Sequence, residues 1–456
     1  MNAPTEPGAA GTTASLPALP ALTQQLLAEG FAVHEGELHI GGLGVRALAA
    51  LGTPLYVMDQ RLLEARYRQL QQVLEGFAEV FYSIKANPQP AVAAAFVRLG
   101  AGLEIASGGE FHLALAAGCA PQRMLFAGPG KGQAELELAM AGGIGEVHLE
   151  SFEEIELCGA IARQLGRPQA VALRINPAAA AQGGAMRMGG KPAAFGFDEE
   201  QMGQAVAAVQ AQPGLLLEGI HLFAGTQVLQ AEVLGQQWRI GLDLARQLAQ
   251  RLGHPLQRID LGGGLGIPYH AGQATLDLAA LRGLAQELAQ SQRQDPWLAP
   301  SRVLVEPGRW LSGPAGVYLM RVRAVKESRG QRFVICDGGM HHHLAASGNL
   351  GQVIKQDYPL LAATQLWPDL PLSPAQVVGP LCTPLDTLGR QTALPPVQAG
   401  DLIAVLQSGA YGLSASPTGF LSHPMPAEVM VCEGEPRVLR AAGQFAAPLV
   451  NLAAVG

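Results

Sequence analysis

A (β/α)8 barrel followed by a mostly antiparallel β domain is the fold this sequence predicts, on three observations. From residue 80 to 309, short apolar runs alternate with longer amphipathic stretches rich in Ala, Leu, Gln and Glu, the pattern of parallel strands joined by helices. The runs number eight, beginning near Val80, Leu103, Met124, Glu146, Ala170, Gly219, Arg258 and Arg302, and eight such units close on themselves. After Arg309 the texture changes to short strand-like runs parted by Gly, Pro and Ser, which suits antiparallel pairing.

In chain order, residues 1–25 read as a flexible leader, because Met1 to Pro20 lacks the basic and apolar regions of a signal peptide. Residues 26–52 contain Phe31–Ile40, a strand expected to pair with the later β domain. Residues 53–309 form the barrel, with helices expected over Pro90–Leu99, Glu110–Ala117, Gln133–Ala141, Phe152–Leu165, Glu200–Ala211 and Val233–Leu252. The Gly-, Met- and Ala-rich segment from Gln182 to Lys191 is expected to be a mobile loop above the barrel mouth. Residues 310–456 form the β domain, with strands expected at Val317–Val325, Arg332–Asp337, Asp401–Val405 and Glu428–Cys432. An open doubly wound sheet is the competing architecture. It lacks support at the first strand–helix turn, where no dinucleotide fingerprint occurs, and the glycines cluster only after the seventh run.

The chain has 456 residues, 48% of them hydrophobic and 15% charged, which describes a globular protein large enough for two domains. A formal charge of -7 with no dense basic stretch argues against nucleic acid as a partner, and no apolar stretch is long enough to span a bilayer. The five cysteines (119, 158, 336, 382 and 432) are scattered without Cys-x-x-Cys spacing. They fit a reducing cytoplasm and give no sign of a metal centre.

In a barrel of this type the chemistry sits at the C-terminal ends of the strands. The first apolar run ends in Lys85, stopped by Asn87-Pro88. The second ends at Glu104 to Ser107, the fifth carries Arg174, and the sixth ends in His221 to Thr226, including Phe223. The seventh ends in the glycines 262–264 and 266, and the eighth in Glu306-Pro307-Gly308-Arg309. A lysine at a strand end is commonplace, and a glycine cluster alone most often makes a turn. Together, an amine, bare backbone amides for an anion and a carboxylate needing a cationic partner are what pyridoxal 5′-phosphate requires.

Six ordered strings then resemble one family, the barrel-type pyridoxal-phosphate decarboxylases of diaminopimelate, ornithine and arginine. They are Tyr82-Ser83-Ile84-Lys85-Ala86-Asn87, Ala106-Ser107-Gly108-Gly109-Glu110, the run Gly262 to Gly266, Glu306-Pro307-Gly308-Arg309, Gly379-Pro380-Leu381-Cys382 and Gly409-Ala410-Tyr411. The resemblance implies an alanine-racemase-like barrel with Lys85 attached to the cofactor, Glu306 on its ring nitrogen and Cys382 as proton donor from the second subunit of a homodimer. It further implies cofactor contacts from Glu104, Arg174, Phe223, Thr226, Gly263, Gly264, Gly308, Arg309 and Tyr411. Substrate contacts would come from Arg309 and Tyr411, with Thr383 and His342 in the segments that bind the substrate's distal end.

The chain departs from the family at four places. Phe223 replaces a histidine that stacks on the cofactor, and Glu104 replaces an aspartate. Thr383-Pro384-Leu385 follows Cys382 where diaminopimelate decarboxylases place a glutamate, the next acid being Asp386. His341-His342-His343 follows Asp337-Gly338-Gly339-Met340 where an arginine is usual. Three successive histidines on a strand cannot converge on one metal ion without a bend. The string Ser416 to Pro424 resembles the subgroup acting on carrier-linked or modified amino acids. Decarboxylation of such a substrate is therefore expected. Its rivals are diaminopimelate decarboxylation, amino-acid racemisation and a catalytically silent homologue that binds a partner protein.

Overall fold

The computed structural model describes residues 17–178, 192–223, 225–352 and 354–447 and the backbone of 186–187. Eight parallel strands close into a barrel: Glu79–Ser83, Gly102–Ile105, Met124–Phe126, Glu146–Leu149, Gln169–Asn176, Leu215–Leu222, Arg258–Asp260 and Arg302–Val305. The last pairs with the first through Leu304↔Glu79 and Val305↔Val80, which closes the ring. All eight expected runs are strands, and the open-sheet alternative falls with that closure.

Helices follow because the linking stretches carry their own start signals. Ser107 and Ser151 accept hydrogen bonds from the N–H groups of Glu110 and Glu154, capping helices Gly108–Ala116 and Phe152–Leu165. Asp277 likewise caps Leu278–Gln294. Gly166 and Gly253 end their helices at φ +65° and +81°, the left-handed conformation that glycine adopts without strain.

The second sheet runs in the order Thr387–Leu394, Ser373–Val378, Gln331–Cys336, Gly316–Ser328, Leu55–Asp59, Ala427–Cys432 and Glu435–Arg440. Leu402–Val405 pairs with Gly316–Ser328 and with Leu360–Ala362. Most contacts are antiparallel; Gln331–Cys336 with Ser373–Val378 and Ala427–Cys432 with Leu55–Asp59 are parallel.

Three details differ from the expected organisation. Leu55–Asp59, inside the range expected for the barrel, is a central strand of the second sheet. All five of its residues are buried, so it lacks the alternation that would assign it to one face. The segment Phe31–Ile40 is a hairpin, Ala32–His34 with Glu37–Ile40, that pairs within its own small sheet. It reaches the second domain through single backbone bonds, Leu38 N–H to Ala363 O (2.8 Å) and Leu366 N–H to Gly36 O (2.8 Å). Finally, Ala21–Gly30 is a helix that begins in the expected leader and runs past its end, docked by Leu22, Leu26 and Leu27 on an apolar cluster that includes Leu361 and Leu406. The expected loop from Gln182 to Lys191 lies outside the described residues, except that Met186–Arg187 pairs with Gly225–Thr226.

Candidate active site

The first barrel strand passes at Ile84 into a single 3-10 turn, Ile84–Ala86, which delivers Lys85 to the C-terminal mouth. The turn is pinned from the second domain. Tyr411 N–H donates to Ala86 O (2.7 Å), and Asn87 Nδ2 donates to Gly409 O (3.0 Å). Lys85 Nζ donates to Glu104 Oε2 at 2.7 Å, and the Ser83 hydroxyl donates to the same oxygen. Glu104 is 2% exposed, whereas the Lys85 side chain keeps 42% of its exposure and opens to the mouth. The enclosed setting works against the lysine's charge, but Glu104, Tyr411 and Glu306 outweigh it and hold the ammonium above its ordinary range.

Beneath the mouth lies a sealed polar layer. His148, His221, Asp260 and Glu306 place one ligand atom each within 4.8 Å of one another, all buried. His221 Nε2 is 3.3 Å from Glu306 Oε2, and the two imidazole rings lie 4.3 Å apart. Among the described residues, no N–H or O–H donor reaches Glu306 Oε1. An acceptor left so in a buried site is costly, and the protonated ring nitrogen of pyridoxal phosphate is a donor that fits it. Burial, followed by the charges of His148 and Arg174, pushes His221 well below its ordinary value and keeps it neutral. The layer also has the residue types of a metal site, which no spacing in the sequence signals.

The glycine run explains itself by close approach. A Cβ at Gly263 would lie 2.5 Å from Glu306 O, and at Gly264, where φ is +105°, 3.0 Å from Gly225 O. Bare backbone therefore lines the ends of the sixth to eighth strands, beside Thr226. Gly308 is held just as tightly, since a Cβ there would meet Ala86 Cβ at 2.8 Å. Arg309 follows, its guanidinium 4.7 Å from the Tyr411 ring centroid and 5.6 Å from that of Tyr269. Among the described residues its one polar contact is a long bond, 3.5 Å, to the Tyr269 hydroxyl, and no carboxylate pairs with it. A cation so placed beside bare amides fits a phosphate or carboxylate anion.

Arg174 is differently placed. It donates to Glu150 Oε1 (2.8 Å), and its guanidinium faces Phe195 and Phe223 at 4.9 and 6.0 Å. Its charge is thus already matched, and it supports Phe223 rather than offering a free cation. Phe223 lies against the glycine run, 3.8 Å from where a Gly263 Cβ would stand.

The second-domain residues do not join this group within one chain. Cys382 is exposed, and Thr383 Oγ1 accepts from Leu385 N–H in the same loop. Among the described residues, no hydrogen bond, ion pair or ring contact links that loop to Lys85, Glu306 or Arg309. His342, expected at the substrate, is 1% exposed. Its Nε2 is 3.0 Å from Pro424 O and its Nδ1 3.3 Å from the Tyr318 hydroxyl, so it has no nitrogen left for a substrate. The three histidines lie in turns, not on a strand, and burial pushes them down to about 3, 4 and 3 in sequence order. Asp386 is likewise committed: its carboxylate accepts from Met340 N–H (2.6 Å) and Leu381 N–H (2.9 Å).

The strand-end reading passes over His148 and Asp260, each hidden in an apolar run, and over Glu110. Glu110 accepts from Ala106 N–H (2.7 Å).

Residues 60–313 match the family described as pyridoxal-dependent decarboxylase, pyridoxal binding domain. The L-glutamyl-[BtrI acyl-carrier protein] decarboxylase of Niallia circulans is 37% identical over 393 residues, 86% of this chain and 91% of that protein. The diaminopimelate decarboxylase of Zymomonas mobilis is 32% identical over 416 residues, 90% of this chain and 95% of its own length. The crystal structure of diaminopimelate decarboxylase from M. jannaschii superposes with a TM-score of 0.85 at 25% identity, over 93% of this chain and 98% of that one.

Burial, and after it the charge of Glu104, pushes the Glu110 carboxyl up to about 7 from its ordinary 4.5, against the bond from Ala106. A carboxyl raised in the folded state contributes its stability in full below its unfolded value and loses it as pH rises through the folded one. The melting temperature of cofactor-free Glu110→Gln should therefore gain on wild type between about pH 4.5 and 7 and hold that gain above. A difference that does not change with pH would remove Glu110 from the balance of charges at the mouth.

Proposed function

The chain belongs to the pyridoxal-dependent decarboxylases, enzymes that remove carbon dioxide from amino acids with pyridoxal 5′-phosphate, and on that premise we propose that its substrate is an amino acid whose distal end is uncharged because it is joined to a carrier protein. One observation carries this reading. In the two loops expected to meet the distal end, 340–343 and 383–386, no described residue offers a free charge: Asp386 is committed to backbone amides, and the histidines are buried and neutral. Free diaminopimelate would bring an ammonium and a carboxylate there, and leaving a buried polar group unmatched costs about 1–3 kcal/mol, more when charged. A carrier-linked distal end has no such charge. The name of the N. circulans relative supports the same substrate class.

In this reading Lys85 is the attachment point of the cofactor and Glu306 the partner of its ring nitrogen. The amides near Gly263 and Gly264, with Thr226, Gly308, Arg309 and Tyr411, hold its phosphate, and Phe223 lies against its ring. When bound, the cofactor supplies an electron-poor ring that takes up the electron pair left as carbon dioxide departs. Glu104 Oε2, 2.7 Å from Lys85 Nζ, is placed to take the proton that the amine must lose before it can act as a nucleophile. Arg309 is also placed to meet the substrate's carboxylate. Cys382 donates the proton that replaces the lost carboxyl group, and it comes from a second copy of the chain. Its exposure in the single chain, in a loop that also exposes Leu385, supports that arrangement. The five unpaired cysteines suit a cytoplasmic enzyme.

Carbon dioxide release separates the substrates. A glutamyl thioester of a purified acyl-carrier protein should turn over with kcat/KM at least about 100-fold above free diaminopimelate, ornithine or arginine. Equal turnover of free diaminopimelate would contradict the carrier-linked reading. Mixing inactive Lys85→Ala and Cys382→Ala chains tests the shared site, because one site of each mixed dimer keeps both groups. Activity should return to roughly a quarter of wild type. No recovery from chains shown to exchange would return Cys382 to its own subunit or remove it from the reaction.

A further inference from the structure

We infer that Asp386 is a positioning residue for Cys382: its buried carboxylate ties the hairpin loop 379–386 to the turn 339–343 and so fixes where the cysteine stands when it is presented to the second copy of the chain. The inference rests on the shared-site reading above and deepens it.

Two strands of the second sheet end side by side and set up the contact. Gln331–Cys336 and Ser373–Val378 run parallel with Ile335 opposite Val378, so the chain leaves both at one edge of the sheet. Loop 379–386 then turns back into Thr387–Leu394, with Val378 opposite Thr387 and Gly379 N–H donating to Asp386 O (3.1 Å) at its base. A loop of this length closed only at its base would leave its tip free to move. Asp386 ties it down by turning its side chain inward. Its Oδ2 accepts from the N–H of Leu381, the residue before the cysteine (2.9 Å). Its Oδ1 accepts from Met340 N–H (2.6 Å) on the neighbouring turn. Cys382 lies at the centre of a three-residue turn in which Thr383 N–H donates to Leu381 O (2.8 Å), and Asp386 N–H donates back to Thr383 O (3.2 Å). Both neighbours of the cysteine are therefore bonded to Asp386, while Cys382 itself is exposed.

The seat is shaped for a carboxylate. Gly339 and Gly379 flank it, and a Cβ on either would overlap the Asp386 oxygens. Asp386 is 2% exposed, and each oxygen already holds a backbone amide, so its charge serves the loop and not a substrate amine. Hydrogen bonds to an ionised acceptor are about twice as strong as neutral ones. Asparagine has the same shape but only one accepting oxygen, and its NH2 would face the other backbone N–H. A second tie lies farther along the loop, where Asn349 Nδ2 donates to Leu385 O (3.1 Å). Leu381 and Met340, the residues on either side of the carboxylate, are both buried.

Mixed dimers read the role of Asp386 apart from any effect on folding. When Lys85→Ala and Cys382→Ala chains are mixed, the working site takes its cysteine from the Lys85→Ala chain. The substrate is the glutamyl thioester of a purified acyl-carrier protein, or free diaminopimelate if wild type turns over that instead. Asp386→Asn placed on the Lys85→Ala chain should give a kcat about 10- to 100-fold below that of the same substitution placed on the Cys382→Ala chain. KM should agree between the two mixtures, because Asp386 meets no substrate. Equal kcat in both, or a difference in KM alone, would overturn the inference, since a general loss of stability acts alike from either chain. A parent mixture that recovers no activity would sink the shared-site reading, and the inference with it. If Asp386→Asn does not fold, hydrogen exchange of wild type decides. The amides of Met340 and Leu381 should exchange at least about 100-fold more slowly than in an unstructured peptide, and exchange at the unstructured rate would overturn the inference.

Discussion

The pairing of the first barrel strand with the second is the constraint on which the mouth depends. An ammonium emerging at an enclosed strand end needs a partner of opposite charge at close range. The parallel register sets Ser83 opposite Glu104, so the strand that delivers Lys85 also anchors the carboxylate that receives it. A slip of one residue would turn Glu104 to the other face of the sheet and leave the amine unpaired. The same logic runs round the barrel. Glu146 at the base of the fourth strand is matched by Arg258 from the seventh, and Glu150 by Arg174 from the fifth.

The second domain completes what the barrel begins. Tyr411, at φ +52°, donates its backbone N–H to Ala86 and lays its ring beside Arg309. Gly409 lies so close to Ser312 O that any side chain would displace the backbone there. Lys85, Arg309 and Tyr411 thus meet at a junction that neither domain forms alone. The cysteine loop is the part that one chain leaves outside. In the segments 340–343 and 383–386, His342 and Asp386 are buried and bonded within the chain.

Much of this was legible in the sequence because barrel strands are short apolar runs with chemistry at their ends; Lys85, the glycine run and Glu306-Pro307-Gly308-Arg309 stand out for that reason. What escaped did so on physical grounds. Leu55–Asp59 is buried on both faces and gives no period to assign. His148 and Asp260 each read as one polar letter in an apolar run, and only barrel closure brings them together from separate strands. The histidine triplet looked like strand because local pattern cannot show a turn held by Gly339 O and by the Asp386 carboxylate from a distant loop. Arg174 was rightly placed at a strand end, but its partner Glu150 lies in another segment.

The central claim is that Lys85 is the amine to which pyridoxal 5′-phosphate is joined. Borohydride reduction of the cofactor-loaded protein, followed by peptide mass mapping, tests it most directly. A single phosphopyridoxyl adduct on the peptide containing Lys85 is the predicted result. An adduct confined to another lysine, or none on protein that has bound the cofactor, would contradict the account.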